Sequence, residues 1–140
     1  METEGSVVTA ETIILFQRMQ EARQTEGGPW FGLPIRGFTV SETGIPYAPI
    51  YFLASLSGPQ GLRVKATLQV ESPTGRRMDL RTIEFDFGAE RTAIARGPLE
   101  GFEVDAPGDY SVRLIFNDAI IARTYFYVII DPCVEDPSDR

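Results

Sequence analysis

Apolar and polar residues alternate along positions 102–118, on both sides of a Pro107-Gly108 turn. The apolar positions of this stretch are Phe102, Val104, Tyr110, Val112, Leu114 and Phe116. Alternation with a period of two is typical of β-strands that bury one face, and Pro-Gly is a strong turn signal. Asn117 and Asp118 then tolerate the left-handed backbone of a tight hairpin turn. The stretch therefore predicts a C-terminal hairpin whose second strand covers residues 119–130.

Similar apolar patterns recur along the rest of the chain. Further strands are predicted at residues 11–19, 30–40, 50–57, 62–70, 83–87 and 92–96. Residues 9–24 also carry some helical spacing, but the β-branched residues 12–14 favour a strand. Pro34 removes a hydrogen-bond donor, which places residues 30–40 at a sheet edge. Eight or nine short strands at roughly ten-residue intervals predict an all-β fold, an antiparallel two-sheet β-sandwich of immunoglobulin-like type.

The size and composition of the chain are those of one globular domain. With 140 residues, of which 43% are hydrophobic, the chain can bury a core without disulfides. We expect a single sandwich domain over residues 1–132, with little order in residues 1–10, followed by an acidic tail over residues 133–140. The N-terminus is acidic where a secretory signal would be basic, and Cys133 is the single cysteine. These features predict a cytoplasmic protein.

The composition also excludes several classes of activity. The chain contains no histidine, which excludes Ser-His-Asp and Cys-His catalysis and the usual zinc sites. A net charge of −7 disfavours binding to nucleic acids or to anionic membranes. We therefore expect no cofactor and no metal site. Calcium held by Asp105, Asp109 and Asp118, or by Asp131, Glu135 and Asp136, is a weaker alternative, because neither spacing matches a defined calcium loop.

Two pairs of carboxylates leave one catalytic alternative. Glu84 with Asp86, and Glu103 with Asp105, each lie two residues apart on one strand face, about 7 Å by strand rise. That separation is within the range of inverting glycosidases. Both pairs, however, occupy outward positions where charge is expected, and neither brings a hydrophobic pocket that would raise one pKa. We expect no catalytic residue, and a carboxylate-based hydrolase ranks third among the possible functions.

The outward face of the C-terminal hairpin is unusually apolar. If Phe126 and Val128 point inward, the residues that point outward are Ile115, Ile121, Arg123, Tyr125, Tyr127 and Ile129. A solvated sheet face is normally polar, whereas an exposed apolar patch is typical of an interface. Either the N-terminal strand or a loop covers this face, or these strands are core on both sides, or the face binds a partner. In the second case a homo-oligomer is the simplest arrangement, because twofold symmetry lets the patch bury its own copy.

Aromatic residues near the proline-containing loops provide a second binding hypothesis. Trp30, Tyr47 and Tyr51 could form a stacking platform for a small ligand or carbohydrate. The alternative is that Trp30 closes an open end of the sandwich, since tryptophan is usually well buried. The sequence thus favours a non-enzymatic interaction or structural module that self-associates or binds another protein, with ligand binding as the second candidate.

The order of the motifs resembles a family of small, uncharacterised bacterial β-sandwich proteins with an immunoglobulin-like fold. The matching segments are residues 13–19, 27–28, 37–38, 49–58, 64–75 and 107–110. Tyr110 follows the Pro-Gly turn at the position of the tyrosine corner of immunoglobulin-like sandwiches, where the hydroxyl binds upstream backbone. The resemblance implies a fold and no particular activity.

Overall fold

The computed structural model describes residues 8–17, 36–46 and 50–133, and the regular structure in these ranges is β-strand. The eight strands are β1 (Thr9–Gln17), β2 (Gly37–Val40), β3 (Ile50–Ser57), β4 (Arg63–Glu71), β5 (Arg77–Asp86), β6 (Thr92–Pro98), β7 (Gly108–Phe116) and β8 (Ala119–Ile130). The strands expected near residues 11–19 and 92–96 are confirmed as β1 and β6. The all-β prediction is therefore confirmed.

The strands form two sheets. One has the order β1-β3-β6 and the other the order β2-β8-β7-β4-β5. All pairs are antiparallel except β2 with β8, which is parallel. The antiparallel two-sheet sandwich is confirmed, and the parallel pair is one feature that the alternation of side chains does not predict, because alternation reports which face a strand buries and not its direction. The edge position expected for residues 30–40 agrees with the place of β2 in the described part of this sheet, and residues 30–35 lie outside the described residues.

The core lies between the sheets and follows the alternation of the sequence. Every second residue of β3 from Ile50 to Leu56 is fully buried. In β4, Val70 is fully buried and Leu68 is 1% exposed. Phe102 and Val104 are also fully buried, but they lie in a loop whose one bridge joins Val104 to Gly44. The strand suggested by their alternation is thus replaced by a buried loop.

The strand order and one hydrogen bond give the sandwich its immunoglobulin-like character. The three-stranded sheet corresponds to strands A, B and E of that fold, and β8-β7-β4-β5 corresponds to G, F, C and C′. The hydroxyl of Tyr110, at the start of β7, donates to the carbonyl oxygen of Ala106 at 2.6 Å. This bond is the predicted tyrosine corner. The fold is an immunoglobulin-like β-sandwich.

A second set of hydrogen bonds joins the β4–β5 turn to this corner. The carboxylate of Asp105 accepts from Thr74 Oγ1 at 2.6 Å and from Ser72 Oγ at 3.0 Å. These bonds, the one from Thr74 foremost, lower the pKa of Asp105 below its ordinary value of 3.8. Burial raises the pKa of the Tyr110 hydroxyl. Two loops from distant parts of the chain are therefore held together at one end of the sandwich.

The C-terminal hairpin closes as the sequence predicts, with one irregularity. Asn117 and Asp118 adopt positive φ angles of 53° and 64°, the conformation of a two-residue hairpin turn. The pairing of β7 with β8 shifts by one residue beside Leu114, so that Ile115 pairs with Ile120. This bulge turns Ile120 outward and lets Ile121 pack against the core. The outward orientation predicted for Ile121 is therefore wrong.

The extent of the domain, residues 1–132, stays a prediction. Residues 1–7 and the tail beyond Cys133 lie outside the described residues. Within the described part of the chain, no helix has the length and hydrophobicity of a membrane span.

The corner hydroxyl should contribute measurably to stability. Tyr110→Phe removes the hydrogen bond from the tyrosine hydroxyl to the carbonyl of Ala106. It also removes the hydroxyl oxygen that accepts from the backbone N–H of Asp105 at 3.2 Å. We expect the free energy of unfolding in urea to fall by about 1–2 kcal/mol. Tyr125→Phe, at an exposed position, is the control and should change it little. An equal loss in both variants would contradict this role.

The Asp105 contacts predict a specific dependence on pH. A carboxyl whose pKa is lower in the folded state stabilises the fold above its unfolded pKa, and loses this contribution as the pH falls through the folded pKa. The stability difference between the wild type and Asp105→Asn should therefore shrink as the pH is lowered from about 5 to about 3. Thermal unfolding of both proteins across this pH range measures the difference. A difference that does not change with pH would contradict the lowered pKa of Asp105.

Candidate interaction surface

The outward side chains of the C-terminal hairpin form one continuous surface, which we call the hairpin face. Its members are Asp109, Ser111, Arg113 and Ile115 of β7 and Arg123, Tyr125, Tyr127 and Ile129 of β8. Because both strands are regular from residue 108 to 114 and from 122 to 130, these side chains share one side of the sheet. The sheet itself places this side away from the core.

An aromatic cluster beneath β8 fixes which way the strand faces. The ring of Phe126 lies 5.2 Å from that of Tyr110, 5.3 Å from that of Phe102 and 5.7 Å from that of Phe38, measured between centroids. Such offset and tilted pairs are favourable beyond simple burial. With Phe126 and Val128 buried, the neighbouring side chains of β8 necessarily point to solvent.

The apolar residues of the hairpin face are indeed exposed. Tyr125 is 54% exposed, Tyr127 48% and Ile129 51%. The described residues of β1 lie in the other sheet and do not cover these side chains. The alternative of a covering loop stays a prediction. Arg123 is exposed and Ile115 half-buried. Of the residues predicted to form the patch, Ile121 alone turns to the core.

Strand β2 extends the hairpin face beyond β8. Gly37 pairs with Tyr127, and a Cβ at position 37 would lie 2.3 Å from the carbonyl oxygen of Tyr127. Only glycine permits this approach. The backbone N–H of Tyr127 donates to the carbonyl of Arg36 at 2.7 Å. The aromatic cluster therefore supports this half of β8, which carries the two tyrosines, from the core side. The pairing with β2 supports it along its edge at Tyr127.

An open groove adjoins the hairpin face along the edge of β8. Its volume is 530 Å³, and its walls include Ile14 of β1 together with Tyr125 and Tyr127. Ile14 is itself 45% exposed. The exposed apolar surface therefore continues from the tyrosines round the side of the sandwich.

A polar network surrounds Arg113 on the hairpin face. Arg113 is only 9% exposed, and its guanidinium forms an ion pair with Glu71 of β4. Its Nε also donates to Ser111 Oγ at 3.1 Å. Glu71 accepts a second bond from Arg77 Nε at 3.1 Å. This network links β7, β4 and β5 and holds a charged group in place beside the tyrosines.

The residues predicted for ligand binding are largely untested. Trp30 and Tyr47 lie outside the described residues. Tyr51 points outward from β3, half-buried and paired in register with Pro98 of β6. Carbohydrate binding through these residues stays a prediction.

The four carboxylates considered for catalysis include three with structural partners. Asp86 pairs with Arg63 at 3.3 Å and Glu103 with Arg76 at 2.7 Å. Asp105 belongs to the corner, and its pKa is lowered, whereas a general acid needs a raised one. In the described ranges no three acidic or cysteine side chains come together in a way that could hold a metal ion.

Sequence reasoning missed a second exposed apolar surface, on the three-stranded sheet. Ile94 of β6 is 63% exposed, and Ile14 of β1 shares the same outer side with the half-buried Leu53 of β3. Ile94 stands between Ala93 and Ala95, so the local pattern does not indicate which face of β6 is exposed. That face depends on pairing with β3, which is distant in sequence.

No protein-family model and no curated protein matches this chain. Among solved structures, a β-glucosidase from Listeria innocua in complex with glucose is similar over 81% of this chain, with 9% identity and a TM-score of 0.51. The chain spans 21% of the length of that protein. At this identity the likeness shows the fold alone.

Two further structures are similar at lower TM-scores. An immunoglobulin-like protein from Pseudomonas aeruginosa is 16% identical, with 86% of this chain and 95% of that chain covered and a TM-score of 0.44. An alkylpurine DNA glycosylase from Pseudomonas fluorescens is 12% identical, with 87% and 30% covered and a TM-score of 0.46. Scores this low carry no argument. Membership of the family suggested by the sequence stays a prediction, while its immunoglobulin-like fold is confirmed by strand order.

The network around Arg113 should be a main source of local stability. Glu71→Ala leaves the buried Arg113 without a carboxylate, and we expect a loss of about 2–3 kcal/mol in the free energy of unfolding. Glu84→Ala removes an exposed carboxylate from β5 and should cost no more than about 0.5 kcal/mol. Urea denaturation compares the two, and similar losses would contradict the role of Glu71.

Proposed function

We propose that this protein is a non-enzymatic interaction module that self-associates through the hairpin face. The observation that carries the proposal is the exposure of Tyr125, Tyr127 and Ile129, three large side chains on one side of a regular strand, each about half accessible. Tyrosine is enriched at protein interfaces because its ring supplies apolar area and its hydroxyl a polar contact. An immunoglobulin-like sandwich is a fold that supports many such modules.

Association would stabilise the protein mainly by removing this apolar surface from water. Each Å² of apolar area that is buried contributes about 25 cal/mol before the costs of association. The aromatic cluster around Phe126 and the network around Arg113 hold the hairpin face in one conformation. Few side chains of this face therefore need to become ordered on binding. A rigid, apolar and exposed sheet face is well suited to binding another rigid face.

A second copy of the chain is the simplest partner. Twofold association is the commonest symmetry of soluble oligomers, and it lets each copy cover the tyrosines of the other. The structural partners of Asp86, Glu103 and Asp105 support the non-enzymatic part of the proposal. We also assign the module to the cytoplasm, because a chain with Cys133 as its single cysteine has no internal disulfide.

Self-association is tested by the dependence of mass on concentration. In sedimentation equilibrium the average mass should rise above 15.6 kDa as the concentration increases over a range of about a hundredfold. The double variant Tyr125→Glu/Tyr127→Glu should stay monomeric over the same range while it unfolds cooperatively in urea. It places charge on an exposed face and removes no core contact.

The matched control lies on the other sheet. Ile94→Glu also introduces a carboxylate at an exposed strand position, 63% accessible, but leaves the hairpin face intact. It should associate like the wild type. A wild type that is monomeric throughout, or a monomeric Ile94→Glu beside an associating tyrosine variant, would disprove the proposal.

A further inference from the structure

The polar and aromatic residues of the hairpin face are arranged in three cross-strand rows. In register these rows are Asp109 opposite Tyr127, Ser111 opposite Tyr125, and Arg113 opposite Arg123. Neighbouring rows lie two residues apart along the strands, about 6.8 Å. We call them the acidic row, the central row and the arginine row.

The arginine row carries an excess of positive charge. Like charges directly opposite each other on a sheet are unfavourable. The carboxylate of Glu71 neutralises the charge of Arg113 in an ion pair. Arg123 is exposed, and it takes part in none of the ion pairs found in the described part of the chain. Arg123 therefore presents an uncompensated guanidinium to solvent, next to the ring of Tyr125.

The acidic row offers the groups that a guanidinium binds. Asp109 is exposed, and it joins none of the ion pairs between described residues. Tyr127, directly opposite, exposes about half of its surface. Carboxylates bind arginine through charge-assisted hydrogen bonds, and aromatic rings bind it through their faces. The two outer rows are thus complementary to each other, although within one chain they lie on opposite sides of the central row.

We propose that the occupant of the hairpin face is a second copy, related by a twofold axis that crosses β7 and β8 at the central row. This inference rests on the self-association proposed above and specifies its geometry. The axis places the arginine row of each copy against the acidic row of the other. Because this axis maps β8 onto β8, Arg123 of each copy lies over the ring of Tyr127 of the other. Asp109 of that copy is one strand away, about 4.8 Å, which is within reach of the Arg123 side chain.

The charges discriminate between the two simple twofold arrangements of stacked sheets. In an interface with twofold symmetry, if residue i contacts residue j, then j also contacts i. An axis along the strands would place each row against the same row of the other copy, and so bring the two arginine rows together. An axis across the strands exchanges the outer rows and forms two opposite-charge contacts. Arrangements that match opposite charges are favoured over those that bring like charges together.

Charge reversal tests this geometry. Arg123→Glu alone places two carboxylates together at each contact, and Asp109→Arg alone places two guanidinium groups together. By sedimentation equilibrium, each single variant should raise the dimer dissociation constant about tenfold or more, and the double variant should return it to within about threefold of the wild type. Arg91→Glu and Glu90→Arg, exposed in the β5–β6 turn, make the same charge changes off the hairpin face and should have no effect.

Mixing the two single variants gives an independent readout that needs no double variant. A heterodimer of Arg123→Glu with Asp109→Arg has opposite charges at both contacts, whereas either homodimer has like charges at both. The mixture should therefore dimerise at concentrations where each variant alone is monomeric. Urea unfolding of each variant confirms that it is folded.

The outcomes separate this inference from the function on which it rests. If the wild type dimerises and the tyrosine variant does not, but charge reversal has no effect or the mixture stays monomeric, the axis is wrong while self-association stands. If the wild type is monomeric, both proposals fail. Weakening by the single variants together with rescue in the mixture supports both.

Discussion

The burial of Phe126 is the contact on which the rest of the hairpin depends. Its ring lies within 5.7 Å of three other aromatic rings, centroid to centroid, and so fixes the inward side of β8. Side chains alternate along a strand, and a slip of one residue would exchange the two faces completely. The exposure of Tyr125 and Tyr127 is therefore a necessary consequence of a well-packed interior, and the same strand that completes the core presents an apolar surface to solvent.

The fold fixes the position of that strand from three directions. The tyrosine corner anchors the start of β7 to Ala106, the Asp105 bonds join the corner to the β4–β5 turn, and β2 pairs with the end of β8. The ion pair with Glu71 and the hydrogen bond to Ser111 hold the side chain of Arg113 in one position on the same face. A face that is held this firmly loses little conformational entropy on binding, which favours association.

Much of this architecture was predictable from local sequence. The alternation in β3, β4, β7 and β8 predicted the strands and the core, and the position of Tyr110 predicted the corner. The predictions failed where strand pairing decides. The direction of β2 depends on its pairing with β8, which is distant in sequence. The bulge that turns Ile121 to the core lies within the hairpin, where alternation does not indicate an extra residue. The burial of Arg113 depends on Glu71, 42 residues earlier in the chain. The exposed apolar side of the three-stranded sheet was not predicted, because it too depends on pairing between strands that are distant in sequence.

The central claim is that copies of this chain meet at the hairpin face. Intermolecular nuclear Overhauser effects, measured on a mixture of isotope-labelled and unlabelled protein at a concentration where the wild type is associated, test it most directly. The account predicts intermolecular contacts from the rings of Tyr125 and Tyr127. Contacts confined to Ile94 and its neighbours on the three-stranded sheet, with none from the two tyrosines, would contradict it.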